Sequence, residues 1–196
     1  MELGAFIEAY DKDGCIVLLE GKREVLSEDR PHLVRLGALL AASTTRMRFR
    51  SGNAKGADEL FSSGVASVDR QRLQVVTPYA GHRKSRNQAG EVFNLGAIDL
   101  AAEPEVVYQT KTNKSLQGLV DRYVAGDRGS LAIRAAYLIR DTVKVIGAAG
   151  IPRAGFAIFY DDLSKPGEGG TGHTMAICRL NGLPYIDQRT WLGWLT

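Results

Sequence analysis

The sequence predicts an α/β protein built on a mainly parallel sheet with helices on both faces. Three observations carry this. Five short apolar or β-branched runs are spaced along the 196 residues, amphipathic stretches lie between them, and glycine-rich loops directly follow three of the runs. The pattern is that of a single three-layer, Rossmann-like domain spanning residues 1–196.

The elements follow in order. Residues 1–13 read as a loosely attached N-terminal segment, and the first strand is "CIVLLE", 15–20. A helix follows within 28–43, where Leu33, Leu36, Leu39 and Leu40 share one face. The second strand, "RMRFRS" at 46–51, is unusual. Met47 and Phe49 point one way while Arg46, Arg48 and Arg50 point the other. Either the arginine stems lie along a covering helix and their heads reach water or carboxylates, or Arg50 faces a bound anion. The second helix lies within 55–67 on Ala57, Leu60, Phe61 and Val65, and the third strand is "LQVVTP", 73–78. Residues 88–150 read as a helical insertion or cover, containing 93–102, 115–126 and the strongest helical pattern of the chain, 130–150. Strands "GFAIFY" (155–160) and "LPYID" (183–187) complete the expected five.

Composition narrows the class. The chain is 44% hydrophobic and 24% charged, which supports a sizeable core, and its formal charge of +3 favours anionic ligands without marking a dedicated nucleic-acid coat. Cys15 and Cys178 each sit in an apolar stretch, so reduced, buried thiols in a cytoplasmic protein are expected. No apolar run approaches the ~18 residues needed to cross a bilayer, so no membrane partner is expected. His32, His82 and His173 have no metal-ligand spacing with one another or with the cysteines, and no metal is expected.

The chemistry concentrates after strands. "EGKRE" follows the first, "SGNAKGAD" the second, and "DDLSKPGEGGTGHT" the fourth. Glycine lets the backbone turn sharply and aim its N–H groups at phosphate oxygens, and a helix starting there adds the positive end of its dipole. "GEGGTGHT" also matches the pattern G-x-x-x-x-G-K-[ST], with His173 in the lysine position. A triphosphatase loop belongs after the first strand, however, with a later acidic strand end for magnesium, so this match is a coincidence of glycines.

Taken together and in this order, Gly21-Lys22-Arg23, Ser51-Gly52-Asn53-Ala54-Lys55-Gly56-Ala57-Asp58 and Gly169-Gly170-Thr171-Gly172-His173-Thr174 resemble the motifs of the SLOG superfamily. These are Rossmann-like nucleotide-binding proteins named for Smf/DprA and LOG. Asn53 stands where a glycine is usual, which the turn tolerates because asparagine readily adopts positive φ. The resemblance implies a five-stranded sheet in the order 3-2-1-4-5 and a crevice flanked by Gly21 and the 167–174 loop. It also implies a segment, here Thr77–Asn87, that closes over ligand, with Arg83, Lys84 and Arg86 neutralising phosphate and Tyr79 stacking on a base. A solvated basic loop is the alternative for that run.

The expected ligand-binding set is therefore Gly21, Arg23, Ser51, Gly52, Asn53, Lys55, Tyr79, Arg83, Arg86, Gly169, Gly170, Thr171, His173 and Thr174. His173 has the plainer alternative of a first-turn helix residue. Three functional classes follow. The preferred one binds or senses a nucleotide or nucleotide-derived ligand. The second is an enzyme cleaving a nucleotide N-glycosidic bond, as LOG enzymes do. Their loop supplies a glutamate after the glycines, whereas Met175 follows Thr174 here, leaving Asp58, Asp161 and Asp162 as candidate acids. The third is single-stranded DNA binding, as in DprA proteins, disfavoured by the modest charge. The apolar 130–150 helix offers a face on which two copies would pair as a homodimer.

Overall fold

A computed structural model describes residues 1–112 and 114–196. Its centre is a six-stranded, fully parallel sheet in the order β4-β3-β2-β1-β5-β6. The strands are β1 (Ile16–Gly21), β2 (Arg48–Ser51), β3 (Leu73–Thr77), β4 (Glu91–Asn94), β5 (Phe156–Tyr160) and β6 (Tyr185–Ile186). The expected five strands all form, and their relative order is the one anticipated. The count is corrected to six by β4, which lies within the stretch assigned to a helical cover and pairs with β3 through Gln74↔Glu91 to Thr77↔Asn94. Its four residues, Glu-Val-Phe-Asn, are too few to show a period. Its burial alternates only weakly, as befits the outer edge of the sheet.

One face of the sheet carries α1 (Leu3–Tyr10), α2 (Arg30–Ser43), α3 (Ala57–Asp69) and α8 (Gln188–Trp191). Val17 and Leu19 of β1 point into this layer, where they join Leu33, Leu36, Phe49, Phe61 and Trp191. Residues 1–13 are not loosely attached. Phe6 is fully buried, with its ring centroid 5.1 Å from that of Phe156 and 5.0 Å from that of Trp194. The Trp194 indole N–H also donates to the Met1 carbonyl at 2.9 Å. Short helices α4 (Pro104–Thr110) and α5 (Gln117–Val124), together with the longer α6 (Ser130–Ile146) and α7 (Gly169–Leu180), cover the other face. There Leu18 packs with Ala157, Phe159 and Ile177. Ala132, Ala135, Ala136, Ile139 and Val143 of α6 pack against Val76 and the short helices. The stretch 93–102 forms the end of β4 and two short 3-10 turns instead of a helix.

Of the three arginines, Arg46 precedes β2 and is exposed, while Arg48 and Arg50 are structural. Arg50 is fully buried, its guanidinium donating to Gln74 Oε1 at 3.0 Å and 3.2 Å and to the carbonyls of Lys144 and Pro152. Gln74 in turn donates to Glu91, which also pairs with Arg48 at 2.9 Å. One polar ladder thus runs across β2, β3 and β4. It satisfies a buried charge that would otherwise be costly, and the Arg50 guanidinium is taken up by protein acceptors, outside the residues that line the cleft described below.

Candidate functional site

The chain adds β2, β3 and β4 outward on one side of β1, then returns to place β5 and β6 on the other. Between β1 and β5 the order reverses, the loops diverge, and a crevice opens at the strands' carboxyl ends. A cleft of about 710 Å³ occupies this position, lined by Glu20 to Glu24, Ala54, Asp58, Leu116, Arg134, Tyr137, Leu138, Arg140, Asp141 and Glu168 to Thr171.

Each loop reaches the cleft for a physical reason. At Gly21 the turn passes so close to β5 that a Cβ would come within 2.3 Å of the Tyr160 carbonyl oxygen. Gly56, at φ 91°, lies against Arg23, where a Cβ would meet the Arg23 carbonyl oxygen at 2.2 Å. Asp58 ties the two turns together, accepting hydrogen bonds from the N–H groups of Gly21 at 3.3 Å, Gly52 at 3.0 Å and Ala54 at 3.4 Å. Asn53 takes the left-handed conformation at φ 54°, as expected of an asparagine replacing glycine, and donates through Nδ2 to the His82 carbonyl at 3.1 Å. The loop after β5 is held by Asp161, which accepts from Gly167 N–H at 2.9 Å. Lys22 and Asp162 form an ion pair between the loops that follow β1 and β5. That pair and the Ser164 hydrogen bonds hold the Asp162 carboxyl well below the usual carboxylate range.

Helix α7 begins at Gly169, and no side chain caps it among the described residues. Gly169 and Gly170 are exposed at the cleft, so the first-turn N–H groups and the positive dipole end face the opening. Beneath them lies a buried ionic network. The Lys144 ammonium bridges Glu20 Oε2 at 2.5 Å and Asp141 Oδ1 at 2.9 Å. Arg140 pairs with Asp141 at 2.8 Å and donates to the Gly52 carbonyl at 2.6 Å, and Thr174 Oγ1 donates to Glu20 Oε1 at 2.9 Å. Burial pushes the Glu20 carboxyl up to about 7, against the pull of Lys144. Burial also works on Asp141, but Arg140 and Lys144 outweigh it and hold that carboxyl low.

Of the residues anticipated from sequence, Gly21, Arg23, Asp58, Gly169, Gly170 and Thr171 line the cleft. The others lie elsewhere. Thr174 is fully buried on Glu20, and His173 faces Thr142, its Nε2 3.2 Å from the Thr142 hydroxyl, so both belong to the floor. Ser51 and Gly52 are buried supports of the β2 turn, and Lys55 is exposed outside the cleft. Arg83 is committed to Glu59 at 2.8 Å and to the Asn53 carbonyl at 3.2 Å, while Lys84 and Arg86 are exposed. Tyr79 packs on Tyr137 at the margin of the cleft. Among the three acids considered for catalysis, only Asp58 lines the cleft, and all three carboxylates are engaged in holding loops.

Sequence reasoning missed Glu20, Arg134, Tyr137, Arg140 and Asp141. A signal existed for part of this set. Tyr137, Arg140, Asp141 and Lys144 recur at i, i+3, i+4 and i+7, a polar stripe on a largely apolar helix. Glu20 left only one trace, as the single charge in the first strand.

Fold and cleft define a doubly wound α/β protein with a crevice at its topological switch point. Its fold is similar to the solved structure of DNA processing protein A from Helicobacter pylori, with a TM-score of 0.52 and 12% sequence identity, over 89% of this chain and 65% of that one. This chain therefore spans about two thirds of the length of that protein, whose structure concerns its single-stranded DNA binding mode. No protein-family model and no curated protein matches the sequence. At 12% identity the likeness shows a shared fold.

Proposed function

We propose that the chain is a SLOG-type binding protein whose cleft takes a nucleotide or nucleotide-derived ligand, with phosphate against the first turn of α7. The observation that carries this reading is the convergence at the switch point of the uncapped α7 N-terminus with Arg23, Arg134 and Arg140. Glycines at 169 and 170 leave room for close approach, and Asp58 and Asp161 hold the flanking turns in shape before ligand arrives.

Single-stranded DNA binding is the second reading, favoured by the fold likeness and by the exposed Lys84 and Arg86. The cleft itself argues for a small ligand. Glu20, Glu24, Asp58, Asp141 and Glu168 interleave with its cations, which suits one or two phosphates better than a long polyanion. The test is thermal melting with a panel of nucleoside mono-, di- and triphosphates, NAD and ADP-ribose beside a single-stranded oligonucleotide. A ligand that binds only the folded state raises the melting temperature. Stabilisation by a mononucleotide supports the proposal. Stabilisation by the oligonucleotide alone would replace it with the second reading.

A further inference from the structure

Three rings meet at the edge of the cleft. Tyr79, His82 and Tyr137 stand nearly perpendicular to one another, with centroids 5.1 Å apart for Tyr79 and His82, 5.7 Å for His82 and Tyr137, and 6.4 Å for Tyr79 and Tyr137. Tyr137 lines the cleft, Tyr79 is 39% exposed, and His82 is 9% exposed. Neither ring nitrogen of His82 has a hydrogen-bond partner among the described residues. Buried polar atoms are nearly always paired, so an imidazole with both nitrogens idle calls for a partner from outside the chain. Its surroundings define that partner. Burial and the nearby Arg140, Arg83 and Arg23 lower its pKa, so at neutral pH the ring is uncharged and offers one donor and one acceptor. The same three arginines oppose a cationic ligand. Arg23 is exposed, with its Cζ 6.0 Å from the Tyr137 centroid. Arg140, at 5.6 Å from that ring, is fixed by Gly52 and Asp141. Arg23 is therefore the movable neighbour, able to leave the ring for a phosphate.

Resting on the nucleotide reading above, we propose that these rings form the base-recognition subsite of the cleft. A neutral planar nitrogen heterocycle, the base of the nucleotide, stacks on Tyr137 and pairs one edge donor or acceptor with a ring nitrogen of His82. Tyr79, the exposed ring, turns aside to admit it. Stacking on an aromatic ring is open to every base, whereas an imidazole nitrogen, donor or acceptor in the neutral ring, discriminates among edges. The subsite thus separates nucleotides from sugar phosphates, and His82 separates one base from another.

The experiment is calorimetric titration of ribose 5-phosphate and the four common nucleoside monophosphates into the parent protein, Tyr137→Leu, Tyr79→Ala and His82→Phe, with melting curves to verify folding. In the parent, at least one nucleotide should bind roughly ten- to hundredfold more tightly than ribose 5-phosphate. Tyr137→Leu should remove most of that advantage and leave ribose 5-phosphate unchanged, Tyr79→Ala, which deletes the ring that turns aside, should keep it, and His82→Phe should level the ranking of the four bases. Equal binding of ribose 5-phosphate and all four nucleotides by the parent overturns the base subsite while leaving the phosphate site standing, and that comparison needs no variant. Equal weakening of both ligand kinds by Tyr137→Leu overturns it too. Absence of binding by all five ligands removes the nucleotide reading itself, and the subsite with it.

Discussion

Gly170 is the residue at which the proposed phosphate site is most exposed to a single change. It lies at the cleft opening in the first turn of α7, and a Cβ placed there would sit 3.6 Å from Asp141 Oδ2, in ordinary contact. Gly170→Asp therefore leaves the fold intact but sets a carboxylate where phosphate would lie. Calorimetry should find nucleotide binding abolished, with a melting temperature close to the parent's. Glu20 gives a second prediction, in pH. Its folded-state pKa, about 7, lies above the ordinary 4.5, so the folded protein keeps a proton that the unfolded chain releases between those values. Stability from this group is full below the lower value and is lost as pH rises through the upper one. Urea unfolding at about pH 5 and about pH 8 should show the parent losing roughly 1–3 kcal/mol relative to Glu20→Gln over that range. Parallel pH profiles would refute the assignment. Glu20 also bears on catalysis, since it is the acid beside Thr174, where Met175 follows and no acid stands after the glycines. Its second oxygen is held by Lys144, so nucleotide incubated with the protein for hours should be recovered intact by chromatography. Release of free base by the parent and not by Glu20→Gln would replace the proposed binding role with an enzymatic one.

Among the elements, those with a strong period were legible and those held by tertiary partners were not. Helices α2 and α3 announced themselves through Leu33, Leu36, Phe61 and Val65, all of which are buried. The glycines between them were silent in sequence but set how closely the helices approach. A Cβ on Gly64 would come within 2.0 Å of the Val34 carbonyl oxygen, and one on Gly37 within 2.3 Å of that of Phe61. Gly64→Ala should therefore cost about 1–3 kcal/mol, the usual penalty of overpacking. Gly118→Ala, in α5 with open space around it, should instead stabilise by about 0.5–1 kcal/mol. Opposite shifts of the two melting temperatures check both. The cleft was half legible. Glycine turns declare themselves by composition, so Gly21, Gly169 and Gly170 could be read directly. Arg140 comes from a helix 88 residues from Gly52 of the β2 turn, to whose carbonyl it donates, and no local pattern links the two. Arg83 misled because a basic run in sequence says nothing of Glu59, the partner that neutralises it.

For the whole molecule, the alternation of strands and helices made a parallel, doubly covered sheet the natural outcome, and the reversal of strand order fixed the location of a crevice. The short edge strand β4 escaped because its pairing partner, not its composition, makes it a strand. The switch-point cleft, the open end of α7 and the arginines around them support one central claim, that a phosphorylated nucleotide binds between β1 and β5. The most direct measurement follows backbone amide resonances of ¹⁵N-labelled protein during titration with the nucleoside monophosphate that most raises the melting temperature. The account predicts saturating shifts concentrated at Gly169, Gly170 and Thr171, with accompanying changes at Gly21, Lys22 and Arg23. Shifts confined to the exposed segment around Lys84 and Arg86, with the α7 amides unmoved, would contradict it.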